Sequence, residues 1–184
     1  MLRPINQKGE RSVAYLRISQ GAIISKKDGV ETSFSAISGA VKGIVLKEHD
    51  FENKKFKNWH IMISDAASNE QYDLAVSRSA GAFRSIVRSL VTQQGLDNLD
   101  DVTIEVYTSK SGYTNASVSA GGQRLHWSDE QMPPIRYVKV GENEVADDTA
   151  QMNWIQTLVD RVNSRIAGGE AMPQEDDDLP EGDE

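Results

Sequence analysis

A mainly β chain with one inserted helix is predicted by three observations. Three strand-like segments, Phe34 to Lys47, Lys57 to Ser64 and Gln71 to Ser77, precede a helical stripe from Arg78 to Thr92. Two more, Val102 to Ser109 and Tyr113 to Ala120, follow it. Gly39 and Gly43 interrupt the first segment, where a strand that serves two sides of a barrel has to bend. A meander of three strands, a helix and a hairpin, in that order, define the OB-fold. The expected architecture is therefore a five-stranded Greek-key barrel with a helix inserted between strands 3 and 4, an N-terminal β extension and a C-terminal amphipathic helix. The boundaries that follow are an arm and β-hairpin over 1–33, the barrel over 34–128, an extension with a helix over 129–169, and a disordered acidic tail over 170–184.

The elements follow in chain order. The first dozen residues are polar and read as loose, with Arg3, Lys8 and Arg11 as scattered charge. Val13 to Ile18 and Ala22 to Ser25 read as short strands joined near Gln20-Gly21, a ribbon against the barrel. Asp28-Gly29 suits a tight turn because glycine accepts a positive φ. Glu48 to Phe56 is read as a charged loop holding Lys54, Lys55 and Phe56, with Lys57 just beyond. From Lys57 to Ser64 strict alternation puts Trp59, Ile61 and Ile63 on one face, so Trp59 is read as core, and His60 on the other face, open to a ligand.

In the helix, Ser77 or Ser79 is the candidate N-cap and Gly95 the stop, with Phe83, Ile86, Val87, Leu90 and Val91 at helical spacing. Arg78, Arg84 and Arg88 lie off that stripe and read as a solvated helix face, with Arg78, at the strand-to-helix junction, the best placed of the three for a ligand. Val102, Ile104 and Val106 point inward on the next strand. Tyr107, Lys110 and Tyr113 gather at its hairpin turn. Gln123 to Trp127 is read as an extension of the last barrel strand, Ile135 to Val140 as an edge strand, and Thr149 to Ile166 as the amphipathic helix, with a face to pack on the barrel or on another copy of it.

Composition narrows the functional classes. At 184 residues and 38% hydrophobic content the chain supports one core. There is no cysteine, which excludes disulfides and thiolate chemistry. No signal-length or membrane-length apolar run is present, so a soluble, cytoplasmic protein is expected. The net charge of -8 is unevenly distributed, because residues 170–184 hold eight acids and no Lys or Arg, and without them the acids and bases balance. A mildly basic body with an acidic end points to nucleic-acid contact or to a tail that recruits basic partners.

No catalytic constellation is legible. His49, His60 and His126 lack metal-ligand spacing, and no phosphate-binding loop, dinucleotide turn or nucleophile elbow occurs. The expectation is a non-enzymatic protein without metal or cofactor. What the sequence offers instead is cations interleaved with flat rings on the two loops by which OB-folds grip ligands, and such rings stack on any base.

The stretches SGAVKGIVLK, KFKNWHIMISD, SAGAFRSIVRSL and KSGYTNASVSAGGQRLHW, with the acidic end, resemble the phage-type single-stranded DNA-binding proteins. The resemblance implies sequence-tolerant binding of single-stranded DNA in replication, recombination or repair, in a bacterial or phage-infected host cytoplasm. Lys54, Lys55, Lys57, Arg78, Lys110 and Arg124 would neutralise phosphates, with Tyr107, Tyr113, Phe56 or Trp127 stacking on bases and His60 nearby. It also implies replication or recombination proteins as partners of the acidic tail. That tail ends Leu179-Pro180-Glu181-Gly182-Asp183-Glu184, without the terminal hydrophobic residue that such tails carry, which leaves electrostatic competition for the basic groove. RNA shares the stacking chemistry, and an interaction module without nucleic acid is the competing class.

Overall fold

The computed structural model describes residues 13–170; the opening dozen, expected to be loose, and the acidic tail expected after Glu170 lie outside the described residues. Local chemistry fixes the first three strands, β1 (Val13–Ser19), β2 (Ala22–Lys27) and β3 (Val30–Phe34). Gln20-Gly21 and Asp28-Gly29 each supply two consecutive positive φ values, the two-residue turn whose twist matches that of antiparallel strands.

The remaining strands are β4 (Ala36–Phe51), β5 (Lys54–Asp65), β6 (Glu70–Ser77), β7 (Val102–Thr108), β8 (Thr114–Ala120) and β9 (Gln123–Arg124). With the first three they form one open sheet in the order β3-β2-β1-β6-β5-β4-β7-β8-β9. The closed five-stranded barrel expected from the sequence does not form. Closure would need β6 and β8 to meet, but the edge of β6 is taken in parallel register by β1, Val13 opposite Gln71 through Arg17 opposite Ala75. On the other side, β8 is covered by β9, and the Leu125 N–H donates to the Val118 carbonyl at 2.8 Å. The sheet nonetheless curls, since the Gly21 N–H of the β1–β2 turn donates to Thr114 Oγ1 at 3.0 Å.

The sixteen-residue β4 is bent where it changes partners. It pairs with β7 from Ala36 to Gly39 and with β5 from Ala40 onward, with a register shift between Val41 and Gly43. Gly39 has φ +154, and a Cβ there would sit 2.6 Å from the Ser64 carbonyl oxygen. Past Gly39 the edge that β7 leaves is satisfied elsewhere. The Val41 N–H donates to the Leu99 carbonyl at 2.7 Å, and the Asn163 side-chain amide pairs with both backbone groups of Ile44, at 2.9 and 2.8 Å.

Three other sequence expectations are corrected. The supposed loop from Glu48 to Phe56 is strand on both sides of a two-residue turn at Glu52-Asn53, because Glu48 and Asp50 face Lys57 and Lys55 across the ladder and opposite charges stabilise such pairs. Gln123 to Trp127 does not prolong β8; the chain reverses at Gly121-Gly122, both at positive φ, and returns along it. Ile135 to Val140 is not an edge of the main sheet, since β10 (Arg136–Val140) pairs only with β11 (Asn143–Asp147).

Helices complete the core. The expected helix forms as α1 (Gly81–Leu90), entered from Ala80 without a side-chain cap, so neither Ser77 nor Ser79 fills that role. A short α2 (Gln93–Asp97), capped by Thr92, follows it. The long α3 (Thr149–Glu170) runs through Gly168 and Gly169. Its Ile155, Leu158, Val159 and Val162 are buried with Phe83, Ile86 and Leu90 of α1 and with Trp59, Ile61 and Ile104 of the sheet, in one cluster reaching from Leu16 to Val162. Of the two partners expected for this helix face, the strands of its own chain or a second copy, its own chain takes it. Trp59 lies flat on Phe83, ring centroids 4.8 Å apart and 4° from parallel, which makes it core.

Gly39→Ala should lower stability by about 1–3 kcal/mol through strain at that bend, read by thermal unfolding. Gly43→Ala, whose Cβ would meet nothing, is the control. Equal stability of the two variants would mean that Gly39 does not constrain β4.

Candidate nucleic-acid interface

The eleven residues singled out from sequence separate into five places. Lys55, Phe56, Lys57 and Arg78 line one groove of about 560 Å³, between the start of β5, the β6–α1 turn and the first turns of α3. Its cations are occupied. Lys55 reaches Glu48 at 3.0 Å, Lys57 reaches the same carboxylate at 3.6 Å, and Arg78 faces Asp148 at 3.6 Å. The hydrogen bond and charge of Lys55, with a smaller contribution from Lys57, hold the Glu48 carboxyl below its ordinary value, so it is ionised at neutral pH. Lys54 sits at the end of the β4–β5 ribbon and makes no ion pair among the described residues.

Tyr107, Arg124 and Trp127 meet in a second groove. The reversal at Gly121-Gly122 lays Arg124 to Trp127 beside β8, where they line a groove of about 320 Å³ with Tyr107, Ser117 and His126. Trp127 also lines a neighbouring hollow of about 200 Å³ with Gly81, Arg84, Arg88, Asn115 and Met132. Neither lining contains a carboxylate.

Trp127 is 54% exposed, and the Arg88 guanidinium lies 4.8 Å from its ring centroid and 5.9 Å from that of Trp154. Arg88 is fixed there by donating to the Ser128 carbonyl at 3.1 Å, while its own carbonyl accepts from the Ser128 N–H at 3.0 Å. The result is a ring held by a cation on one side and open on another.

Lys110 and Tyr113 occupy the exposed β7–β8 turn, shaped by the Tyr113 N–H donating to Ser109 Oγ, and line neither groove. His60 is elsewhere again. Period 2 does place it on the outer face of β5, but it is only 6% exposed. Its Nδ1 is 2.6 Å from Asp73 Oδ1 and its Nε2 is 3.0 Å from Nε2 of His49. Lys47 binds the other Asp73 oxygen at 3.1 Å. An open ligand contact through His60 is therefore not what the fold provides.

Sequence reading missed Arg84, Arg88, Asn115 and His126 as groove residues, and Asp73 with His49 as partners of His60. The outward position of Asp73 between Tyr72 and Leu74 was the available signal, since a lone carboxylate on a strand beside a lone histidine on its neighbour suggests a pair. No family model, curated protein or solved structure matches the chain. Among the described residues no helix is long and apolar enough to cross a membrane, and no three His, Cys, Asp or Glu side chains are grouped to hold a metal.

Because Glu48 occupies both Lys55 and Lys57, Glu48→Gln should free two cations. Binding of oligo-dT measured by fluorescence anisotropy should tighten several-fold at low salt, with a steeper salt dependence. Unchanged affinity would show that this groove takes no part.

Proposed function

We propose that the chain binds single-stranded nucleic acid without sequence preference, with single-stranded DNA exposed in replication, recombination or repair as the substrate, and that the strand lies over Trp127. One observation carries the reading: two adjoining carboxylate-free hollows share an exposed Trp127 and are lined by Arg84, Arg88, Arg124, Tyr107 and His126. A base stacking on the open face of Trp127 needs no particular edge pattern, which makes binding sequence-tolerant. The arginines meet phosphates on either side, and the separate groove of Lys55, Lys57 and Arg78 offers further cations for the strand. The acidic residues after Glu170 then compete with the strand for these cations.

A second reading, docking of a partner protein, is favoured by a different observation. The β10–β11 hairpin stands apart from the main sheet with Tyr137, Val138, Val140 and Val145 exposed.

Anisotropy of labelled oligo-dT at a series of salt concentrations separates the two. Phosphate contacts by Arg84, Arg88 and Arg124 alone predict a slope of log K against log salt of about -2, steeper where the Lys55, Lys57 and Arg78 groove takes part. Trp127→Ala should cost about 1–3 kcal/mol at any salt through lost stacking. Salt-independent binding, or none at low salt, would sink the nucleic-acid reading and leave the hairpin as the functional surface.

A further inference from the structure

Two strand edges of this fold stand open. Among the described residues no strand takes the far edge of β3, which ends the main sheet, and β10 pairs only with β11. Both β3 and β10 are five residues long and exposed throughout. An open edge presents a row of backbone N–H and C=O groups to any strand that fits, and proteins blunt it with proline, bulges or charge. Here neither strand has a proline or a bulge, and the charges in mid-strand are of opposite sign, Glu31 on β3 and Lys139 on β10.

The two edges expose matching groups. Asp28-Gly29 and Gly141-Glu142 are both two-residue turns, so Lys27 with Val30, and Val140 with Asn143, close their hairpins as hydrogen-bonded pairs. Bonding alternates along a ladder, so the backbone groups of Glu31 and Ser33 on β3, and of Lys139 and Tyr137 on β10, point away from their own partner strand. Laid antiparallel, with Val30 opposite Val140 through Phe34 opposite Arg136, the strands set Glu31 against Lys139 and Ser33 against Tyr137, and each pair exchanges both N–H···O=C bonds. Charge then alternates across the joined strands, because Lys26 faces Glu31, Glu31 faces Lys139 and Lys139 faces Glu144. Arg17 holds only Oε2 of Glu31, at 3.0 Å, which leaves Oε1 for the lysine. On the other face Val30 meets Val140, 66% and 61% exposed when apart, and Thr32 meets Val138. A slip by two residues keeps the bonds in phase but pairs only three of the five residues and parts the charges.

We propose that β10 of one chain adds antiparallel to β3 of a second copy of this chain, so that the hairpin of each copy extends the main sheet of its neighbour. Backbone bonds and the apolar row supply the attraction. The ion pair, being exposed, adds little energy and instead fixes register and partner. Because two different surfaces meet, the contact is heterologous: it leaves one β3 edge and one hairpin open at the ends of each assembly and propagates unless it closes into a ring. It uses neither Trp127 nor the arginines around it, and so stands or falls apart from nucleic-acid binding.

The test is sedimentation velocity of the full chain over a concentration series, without nucleic acid, joined to site-directed cross-linking. The mean mass should rise with concentration. Ser33→Pro removes an N–H that faces away from β2, a place where an edge strand tolerates proline, and should raise the dissociation constant about tenfold or more. Far-UV circular dichroism checks that this variant is folded. Since the chain has no cysteine, Thr32→Cys and Val138→Cys each introduce a single thiol. Under mild oxidation an equimolar mixture of these two variants should give several-fold more disulfide-linked dimer than either variant alone. A chain that stays monomeric at every concentration, or association that survives Ser33→Pro, would overturn the proposal. So would Thr32→Cys cross-linking by itself as readily as the mixture, the sign of β3 pairing with β3.

Discussion

The structure depends on the satisfaction of both edges of β4. Its first four residues give one edge to β7, and the rest of the strand pairs with β5 on the opposite side. A strand leaving one partner would bury unpaired backbone groups, which costs about as much as lost hydrogen bonds. Here Leu99 and the amide of Asn163 take over at Val41 and Ile44. That substitution explains why α3 belongs to the fold: it closes the edge of β4 with Asn163 and fills the curled sheet with Ile155, Leu158 and Val162.

The candidate interface follows from the same frame. Because β1 occupies the edge of β6, the far edge of β8 remains free for the returning chain, and Gly121-Gly122 turns Arg124 to Trp127 back along it. Arg88, half-buried on α1, is thereby brought against Trp127. The cations around this ring have no carboxylate in the grooves, whereas those of the β4–β5 ribbon are paired with Glu48. The two basic regions differ in availability, although their residue types are alike.

Much of the strand and helix content was legible, because alternation at Trp59, Ile61 and Ile63 and helical spacing at Phe83, Ile86, Val87 and Leu90 are properties of short windows. The bend at Gly39 could be anticipated for the same reason. Topology was not legible. The segment order of a Greek-key barrel is compatible with an open sheet when an extra strand competes for the closing edge, and parallel pairing of β1 with β6 joins residues far apart in sequence. The charged ribbon from Glu48 to Lys57 was misread because cross-strand charge compensation looks, residue by residue, like a solvated loop. For the site, Tyr107, Arg124 and Trp127 were named for their places on the expected barrel's hairpin and last strand, and they converge in one groove. Arg84 and Arg88 were set aside as an ordinary helix surface, since only the return of the chain beside β8 gives them a ring to flank.

The claim that a nucleic-acid strand passes over Trp127 can be examined at a single atom. The three tryptophans give three indole N–H signals in a nitrogen-15 correlation spectrum, with Trp59 buried and Trp127 exposed. On titration with oligo-dT the account predicts that the Trp127 signal moves progressively while that of Trp59 stays in place. A Trp127 signal that remains fixed at saturating oligonucleotide, whether or not other resonances shift, would contradict it.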